Sequence, residues 1–441
     1  FYTDIEFDYN NLFFIEIMGR NDFREEKQGS SNPSLVKSVC FSAIPSNFRF
    51  LPKNTILSYS KVFVSYTIYN TNVKSYKNGV SPNPDLLNEQ QNHFEIGTSL
   101  FLFNNRLGIE ASYYNNVNSD MTDFMPLSLS SGYLYKQINI AKIVNKGVDL
   151  AVSGSLVKTS KFEWNLAFNI TTLNNKVKDL AKGIDQLEIG NPGWAQLKAV
   201  VGKSFPMIYG TDYVYDNNGN KLITTTGQYL LSWNKPLGKV TPDFNAGVSN
   251  SLTFKNFTFS FLVDIQRGGN MFYTTSMFGM YSGILEETAL INGINIRENG
   301  LVLGGVYGAE VSSNYIYLDA AGNVSSVPIS NTTVIDAKDW CQNYMNPTIR
   351  NVFSTDYIKL REVAFAYNIP IKFTHFVKGF RVSVYGRNLA LWGAATKHFD
   401  PEYMQMASSN AQGVENGYLP SLRTFGFALN LGIEAARGEY C

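Results

Sequence analysis

The stretch FTFSFLVDIQRGGN, Phe257 to Asn270, decides how this chain folds. In an extended chain Phe257, Phe259, Phe261, Val263 and Ile265 point one way, and Thr258, Ser260, Leu262, Asp264 and Gln266 point the other. One face asks for an apolar medium and the other tolerates water. Gly268 and Gly269 then release the chain from the strand. A soluble sandwich and a membrane barrel both produce such a face, so the rest of the chain has to separate them.

Composition narrows the choice. The 441 residues carry 37 Lys and Arg against 36 Asp and Glu, a net charge of +1, which gives nucleic acid no field to respond to. Aromatic residues reach 14%, while charged residues stop at 17%, below the roughly 25% usual for soluble domains. No run of eighteen apolar residues occurs, so a helical membrane span is excluded. A strand-built span is not. Cys40, Cys341 and Cys441 are too far apart for a zinc or redox motif. The opening FYTDIEFDYN reads as a strand and not as a signal peptide.

The same alternation recurs. FEWNLAFNIT sets Phe162, Trp164, Leu166, Phe168 and Ile170 against polar neighbours, and RTFGFALNLGIE does so with Phe425, Phe427, Leu429, Leu431 and Ile433. Strands are expected near 1–10, 12–23, 36–46, 55–68, 93–103, 106–117, 146–157, 162–173, 242–254, 257–267, 355–368, 379–391 and 421–434, about thirteen in all. Most exceed the usual five or six residues of a globular strand and approach the roughly 9 to 11 that cross a bilayer at a tilt. Between them, tight turns at Asn10, Asn104, Thr159 to Lys161 and Lys255 alternate with long segments at 24–35, 70–92, 118–145, 174–241, 268–352 and 392–420. Short turns on one rim and long loops on the other predict an all-β fold, a transmembrane antiparallel β-barrel with extracellular long loops over residues 1–434, followed by a tail at 435–441. An odd strand count is at variance with a self-contained bacterial barrel, which implies further strands N-terminal to these.

One strand breaks the rule. In FSTDYIKLREVAFAYNIP, Lys359 and Arg361 share a face, and Glu362 then takes a polar place out of phase before Val363, Phe365 and Tyr367. A charge facing lipid costs about 2 to 4 kcal/mol at the midplane and close to nothing at the rim, so a bulge or a rim position is expected around Arg361 and Glu362.

Several blocks, in order along nearly the whole chain, resemble the C-terminal barrel region of SusC-like TonB-dependent transporters of Bacteroidetes outer membranes. They are GRND (Gly19 to Asp22), NPDLLNEQ with FEIG (Asn83 to Gly97), FNNRLGIEASYY (Phe103 to Tyr114), NIAKIVNKGVDL (Asn139 to Leu150), LGKVTPDFNAGVSNSLTFKNFTFSF (Leu237 to Phe261), DYIKLREVAFAYNIP (Asp356 to Pro370), VYGRNLALW (Val384 to Trp392) and LRTFGFALNLG (Leu422 to Gly432). The resemblance implies that these thirteen strands are the last of twenty-two, that a plug and a TonB-contacting segment precede them, and that a SusD-like surface lipoprotein covers the mouth. Import of oligosaccharides or oligopeptides is then the expected function, in paired assemblies of transporter and lipoprotein. The alternatives are a passive porin built from these strands alone and a β-rich surface binding protein.

Candidate sites follow from faces and loops. Asp4, Glu6, Glu110, Glu163 and Asp264 are expected on the wet lumen side. The loop aromatics Tyr133, Tyr135, Trp194, Tyr281, Trp340, Tyr344 and Tyr403 offer flat apolar surfaces to sugar rings or peptide side chains. Trp392, near the end of its strand, suits an interfacial girdle. No phosphate loop, HExxH or nucleophile elbow is present, and His93, His375 and His398 form no ligand spacing, so neither catalysis, metal nor cofactor is expected.

Overall fold

The computed structural model describes residues 1–24, 32–48, 56–71, 79–190, 193–312, 314–343, 347–370, 377–395, 397–402, 412–417 and 419–433. Thirteen strands follow one another as neighbours in a single antiparallel sheet. They are β1 (Tyr2–Tyr9), β2 (Phe13–Arg24), β3 (Asn32–Ala43), β4 (Leu57–Thr71), β5 (Glu89–Leu102), β6 (Leu107–Pro126) and β7 (Tyr135–Lys158). The wall continues through β8 (Phe162–Thr172), β9 (Phe244–Phe254), β10 (Phe257–Arg267), β11 (Tyr357–Ile369), β12 (Val377–Trp392) and β13 (Thr424–Ile433). Each inner strand pairs with its predecessor and successor, and among the described residues the sheet does not close, because β1 and β13 have a neighbour on one side only.

Register turns the sequence alternation into two surfaces. Across β9, β10 and β11, Leu252, Phe259 and Phe365 lie in one row, and Thr253, Thr258 and Ala366 lie in the next row on the opposite face. Cross-strand aromatic pairs tighten the apolar face, with ring centroids 4.5 Å apart for Phe257 and Tyr367 and 4.7 Å for Phe259 and Phe365. Large apolar side chains such as Phe425, Phe427 and Leu429 remain exposed there, as a lipid-facing band requires. Asn250 is a polar residue on that face. Asn250 lies opposite Phe261 and Leu166, is 5% exposed, and accepts a 2.7 Å hydrogen bond from Trp164 Nε1, which meets its need away from water. Trp392 ends β12, half-exposed and opposite Ile358.

The short turns use left-handed residues where the chain reverses, with φ of 55° at Asn10 and Asn11, 56° at Asn104 and 52° at Lys255. The expected bulge is present: against β10 pairing steps from Leu360 to Glu362 and leaves Arg361 as the extra residue, while β12 places Asn388 and Leu389 between the partners of the same two residues.

The long connections differ from simple loops. The segment 118–145, expected as one, is strand except for the turn at 127–134; β6 and β7 stay paired out to Pro126 and Tyr135, with irregularities around Met121. Within 174–241, Asn174–Leu180 pairs with β7, while Gln186–Gly190, Gln196–Val200, Met207–Tyr213 and Leu231–Lys239 form a separate four-stranded sheet outside the wall. Asn270–Tyr273 is held between Val352–Ser354 of its own connection and Val414–Glu415 of the β12–β13 connection, and the β8–β9 connection packs against both. Their shared core contains Ala195, Leu197, Ile208, Phe272, Met277 and Val414, all nearly inaccessible. The tail at 435–441 lies outside the described residues.

Candidate functional site

The site is the place where this loop body meets the polar face of the wall. On that face one register row runs Ser99, Glu110, Ala151, Asn169, Gly247, Asp264, Lys359. At Gly247 a Cβ would come to 2.6 Å from Asn169 Oδ1, so the Asn169 side chain occupies the space that this glycine leaves open. At the end of the row, β10 and β11 supply Asp264, Tyr357, Lys359 and the bulge residue Arg361. The β12–β13 connection supplies Asp400 and Glu402 from one of its arms and Ser421 from the other.

These groups form one ionic network. Lys359 Nζ donates to Asp400 Oδ1 at 2.5 Å, with side chains 3% and 4% exposed, and also to Glu402. Arg361 bridges the wall and the connection: Nε donates to Asp264 at 3.0 Å, and Nη1 donates to Glu402 at 2.7 Å. The Tyr357 hydroxyl lies 3.1 Å from Asp264 and 3.0 Å from Glu402, and the Ser421 hydroxyl donates to Asp400. Burial alone pushes the Asp400 carboxyl up, but the bonds from Lys359, Ser421 and the Glu402 N–H outweigh it and hold it below the usual carboxylate range. Glu402 behaves likewise, with burial overcome by Arg361 and Lys359. Two cations against three carboxylates leave the cluster slightly acidic and tie both arms of the connection to the wall. A second, more exposed tie joins His398 Nε2 to Glu287 at 3.0 Å, linking this connection to the one after β10.

Two clefts open in the loop body on either side of a short helix. Label as α1 the helix Thr274–Tyr281, as α2 Ile296–Asn299 and as α3 Ala337–Gln342. One cleft, of about 230 Å³, is lined by Gln228, Tyr229, Trp340, Asn343 and Arg350, with the Arg350 guanidinium 4.7 Å from the Trp340 ring centroid. The other, of about 490 Å³, is lined by Tyr281, Thr288, Arg297, Lys338 and Cys341. Gln342 of α3 borders both.

The aromatic candidates are therefore split. Tyr281 and Trp340 line adjacent clefts. Trp194 instead packs edge-on against Phe278 at 5.1 Å, beside the loop core. Tyr133 and Tyr135 are half-exposed at the β6–β7 turn, away from both clefts, and Tyr135 meets Phe124 edge-on. Tyr344, Tyr403 and His375 lie outside the described residues. The five acidic candidates fall on the polar face by register. Asp264 joins the ionic network, Glu163 lies 3.9 Å from Lys158, Asp4 accepts from Tyr2, and Glu6 stands opposite Glu16, while Glu110 is in the same row as Asp264. Sequence reasoning had no claim on Asp400, Glu402 or Arg297. The adjacent carboxylates of FDPE were the available signal for the first two, and Arg297 had none.

Residues 41–389 match the family model described as TonB dependent receptor-like, beta-barrel. Among curated proteins, TonB-dependent receptor P26 of Formosa agariphila is 24% identical over 387 residues, covering 80% of this chain and 35% of that protein. TonB-dependent receptor SusC of Bacteroides thetaiotaomicron is 23% identical over 211 residues, 43% of this chain and 20% of its own. The chain thus spans about a third of the length of the first of these relatives. Among solved structures, the RagAB peptide transporter superposes with a TM-score of 0.67 at 18% identity, over 98% of this chain and 47% of that one, which shows a shared fold. With the family model covering most of the two-faced wall and its loop body, the chain belongs to the TonB-dependent receptor-like β-barrel family, whose members lie in the outer membrane.

Proposed function

We propose that this chain is the loop-bearing part of the wall of a TonB-energised, SusC-like importer. It would take up oligosaccharides or oligopeptides together with a SusD-like surface lipoprotein, and transporter and lipoprotein would assemble as pairs. The observation that carries this reading is the ionic attachment of a folded loop body to the polar wall face through Lys359, Arg361, Asp400 and Glu402. A passive pore needs an open mouth; a barrel that recognises bulky cargo and commits it to an energised step needs a structured one. In this reading Asp4, Glu6, Glu110, Glu163 and Asp264 face a wet lumen, Tyr281 and Trp340 belong to ligand recognition, and the chain catalyses no reaction. TonB acts through segments N-terminal to these strands.

The test is uptake by cells carrying the intact protein, with and without TonB and an intact proton gradient. Abolition of oligopeptide or oligosaccharide uptake without energy coupling supports import, and copurification of a surface lipoprotein supports the partner. Uptake that persists unchanged without TonB would sink the importer reading in favour of a porin.

A further inference from the structure

The larger cleft contains a guanidinium that is fixed in place and not neutralised. Arg297 Nε donates to the Thr288 carbonyl at 3.1 Å, and Nη2 donates to the Gly283 carbonyl at 2.6 Å and to Thr288 Oγ1 at 2.8 Å. Nη1 makes no hydrogen bond among the described residues, and no described carboxylate lies within ion-pair distance of Arg297. Lys338, exposed on the same cleft, has no carboxylate partner among the described residues either. The acidic residue lining the cleft, Asp336, has Oδ1 engaged by the Lys338 backbone N–H at 2.7 Å. The cleft therefore carries two cations against one carboxylate. Tyr281, at the end of α1, presents a ring that is 46% exposed on the same cleft.

From this geometry we infer that the cleft between α1, α2 and α3 binds the carboxylate of a small organic ligand, with Arg297 as its anchor, Lys338 as a supporting charge and Tyr281 as a flat wall. Three acceptors already hold Nε and Nη2, so little side-chain freedom is lost when a ligand arrives, and the two N–H groups of Nη1 remain to donate to a carboxylate. A volume of about 490 Å³ accommodates a small acid or the end of a short oligomer, not a folded partner. The carboxylate could come from a peptide C-terminus or from a sugar acid. As a recognition site the cleft rests on the importer reading above, but binding is measured without transport.

The experiment is calorimetric titration of the intact protein in detergent micelles with Gly-Gly-Tyr, with the same tripeptide as its C-terminal amide, and with glucuronic acid. At least one free acid is expected to bind saturably. Converting a binding tripeptide to its amide should weaken it about ten- to a hundredfold, the worth of a charge-assisted hydrogen-bonded pair. Arg297→Gln should lose as much, Arg297→Lys should fall between it and the wild type, and Lys338→Gln should weaken binding a few-fold. Because Arg297→Gln also removes the ties to Gly283 and Thr288, Lys338→Gln and the amide probe carry the test independently of local folding. Tripeptide binding without glucuronate binding identifies a peptide source, and the reverse identifies a sugar acid. Equal binding of acid and amide, or no saturable binding by any probe, overturns the inference. Failure here with TonB-dependent uptake intact discards the cleft and keeps the importer; carboxylate binding with TonB-independent uptake does the opposite.

Discussion

Replacing Lys359 by Met should free the β12–β13 connection from the wall. Lys359 and Asp400 are 3% and 4% exposed and 2.5 Å apart, so removing the cation strands a carboxylate where water cannot reach it. Breaking a buried pair from one side costs about 3 to 5 kcal/mol. Asp400 keeps the Ser421 hydroxyl and the Glu402 N–H, and Glu402 keeps Arg361, which places the expected cost toward the lower end of that range. The reporters are the amides of Glu402 and Ser421, both donated to Asp400, at 3.1 Å and 3.4 Å. Hydrogen exchange there should accelerate by roughly two powers of ten, at about 1.4 kcal/mol per factor of ten. Exchange in the paired centre of β10 should stay as it was. Lys359→Met combined with Asp400→Asn should recover at least a tenfold part of the loss, because no buried charge is then left unmatched. Arg20→Gln, which opens an exposed pair with Asp22, should change exchange at most a few-fold. If Lys359→Met altered protection at Glu402 and Ser421 by less than about threefold, the network would be no more than a surface contact and this reasoning would fail.

Acid should release the same connection. Asp400 and Glu402 titrate below their ordinary values in the folded protein, so their contribution is present above the unfolded carboxylate range of about 4 and is lost as pH falls through the lower folded values. Exchange at Glu402, corrected for its intrinsic rate, should therefore be level between about pH 5 and 7 and rise below about pH 4. Phe261→Arg, in the middle of β10 on the apolar face, should destabilise the inserted barrel by about 2 to 4 kcal/mol in denaturant titrations in lipid vesicles, whereas Ser260→Arg on the polar face should cost much less. Equal costs would mean that the two faces are wrongly assigned. Trp164→Phe should cost about 1 to 3 kcal/mol by orphaning the Asn250 carbonyl, and adding Asn250→Leu should return most of it in the same assay.

The wall was legible because two solvents write a period of two into every strand that separates them. Where one of those solvents ends, so does the legibility. In NNVNSDMTDF, from Asn115 to Phe124, both faces are polar, and yet β6 continues through it, carried by backbone pairing with β7 and not by a buried side-chain face. The loop body was illegible for a different reason: its contacts join positions far apart in the chain. Thr274 Oγ1 donates to the Glu415 carbonyl across 141 residues, and Phe272 packs beside Val414 in the shared core. No local pattern records such a meeting, and for the same reason the Arg297 cleft has no sequence signature.

The irregular segment lies between these extremes. A strict alternation through YIKLREVAF would turn some charged side chain toward lipid, and the bulge at Arg361 removes the conflict by bringing Lys359, Arg361 and Glu362 all away from it. An inward arginine beside an inward lysine then needs carboxylates. Asp264 on β10 is one, but it cannot neutralise both, and the remaining charge is met by Asp400 and Glu402 from the FDPE turn. The break in the strand pattern and the acidic turn some forty residues later thus explain each other. A lipid constraint on one face of β11 becomes, through one inserted residue, the attachment point of a loop on the other.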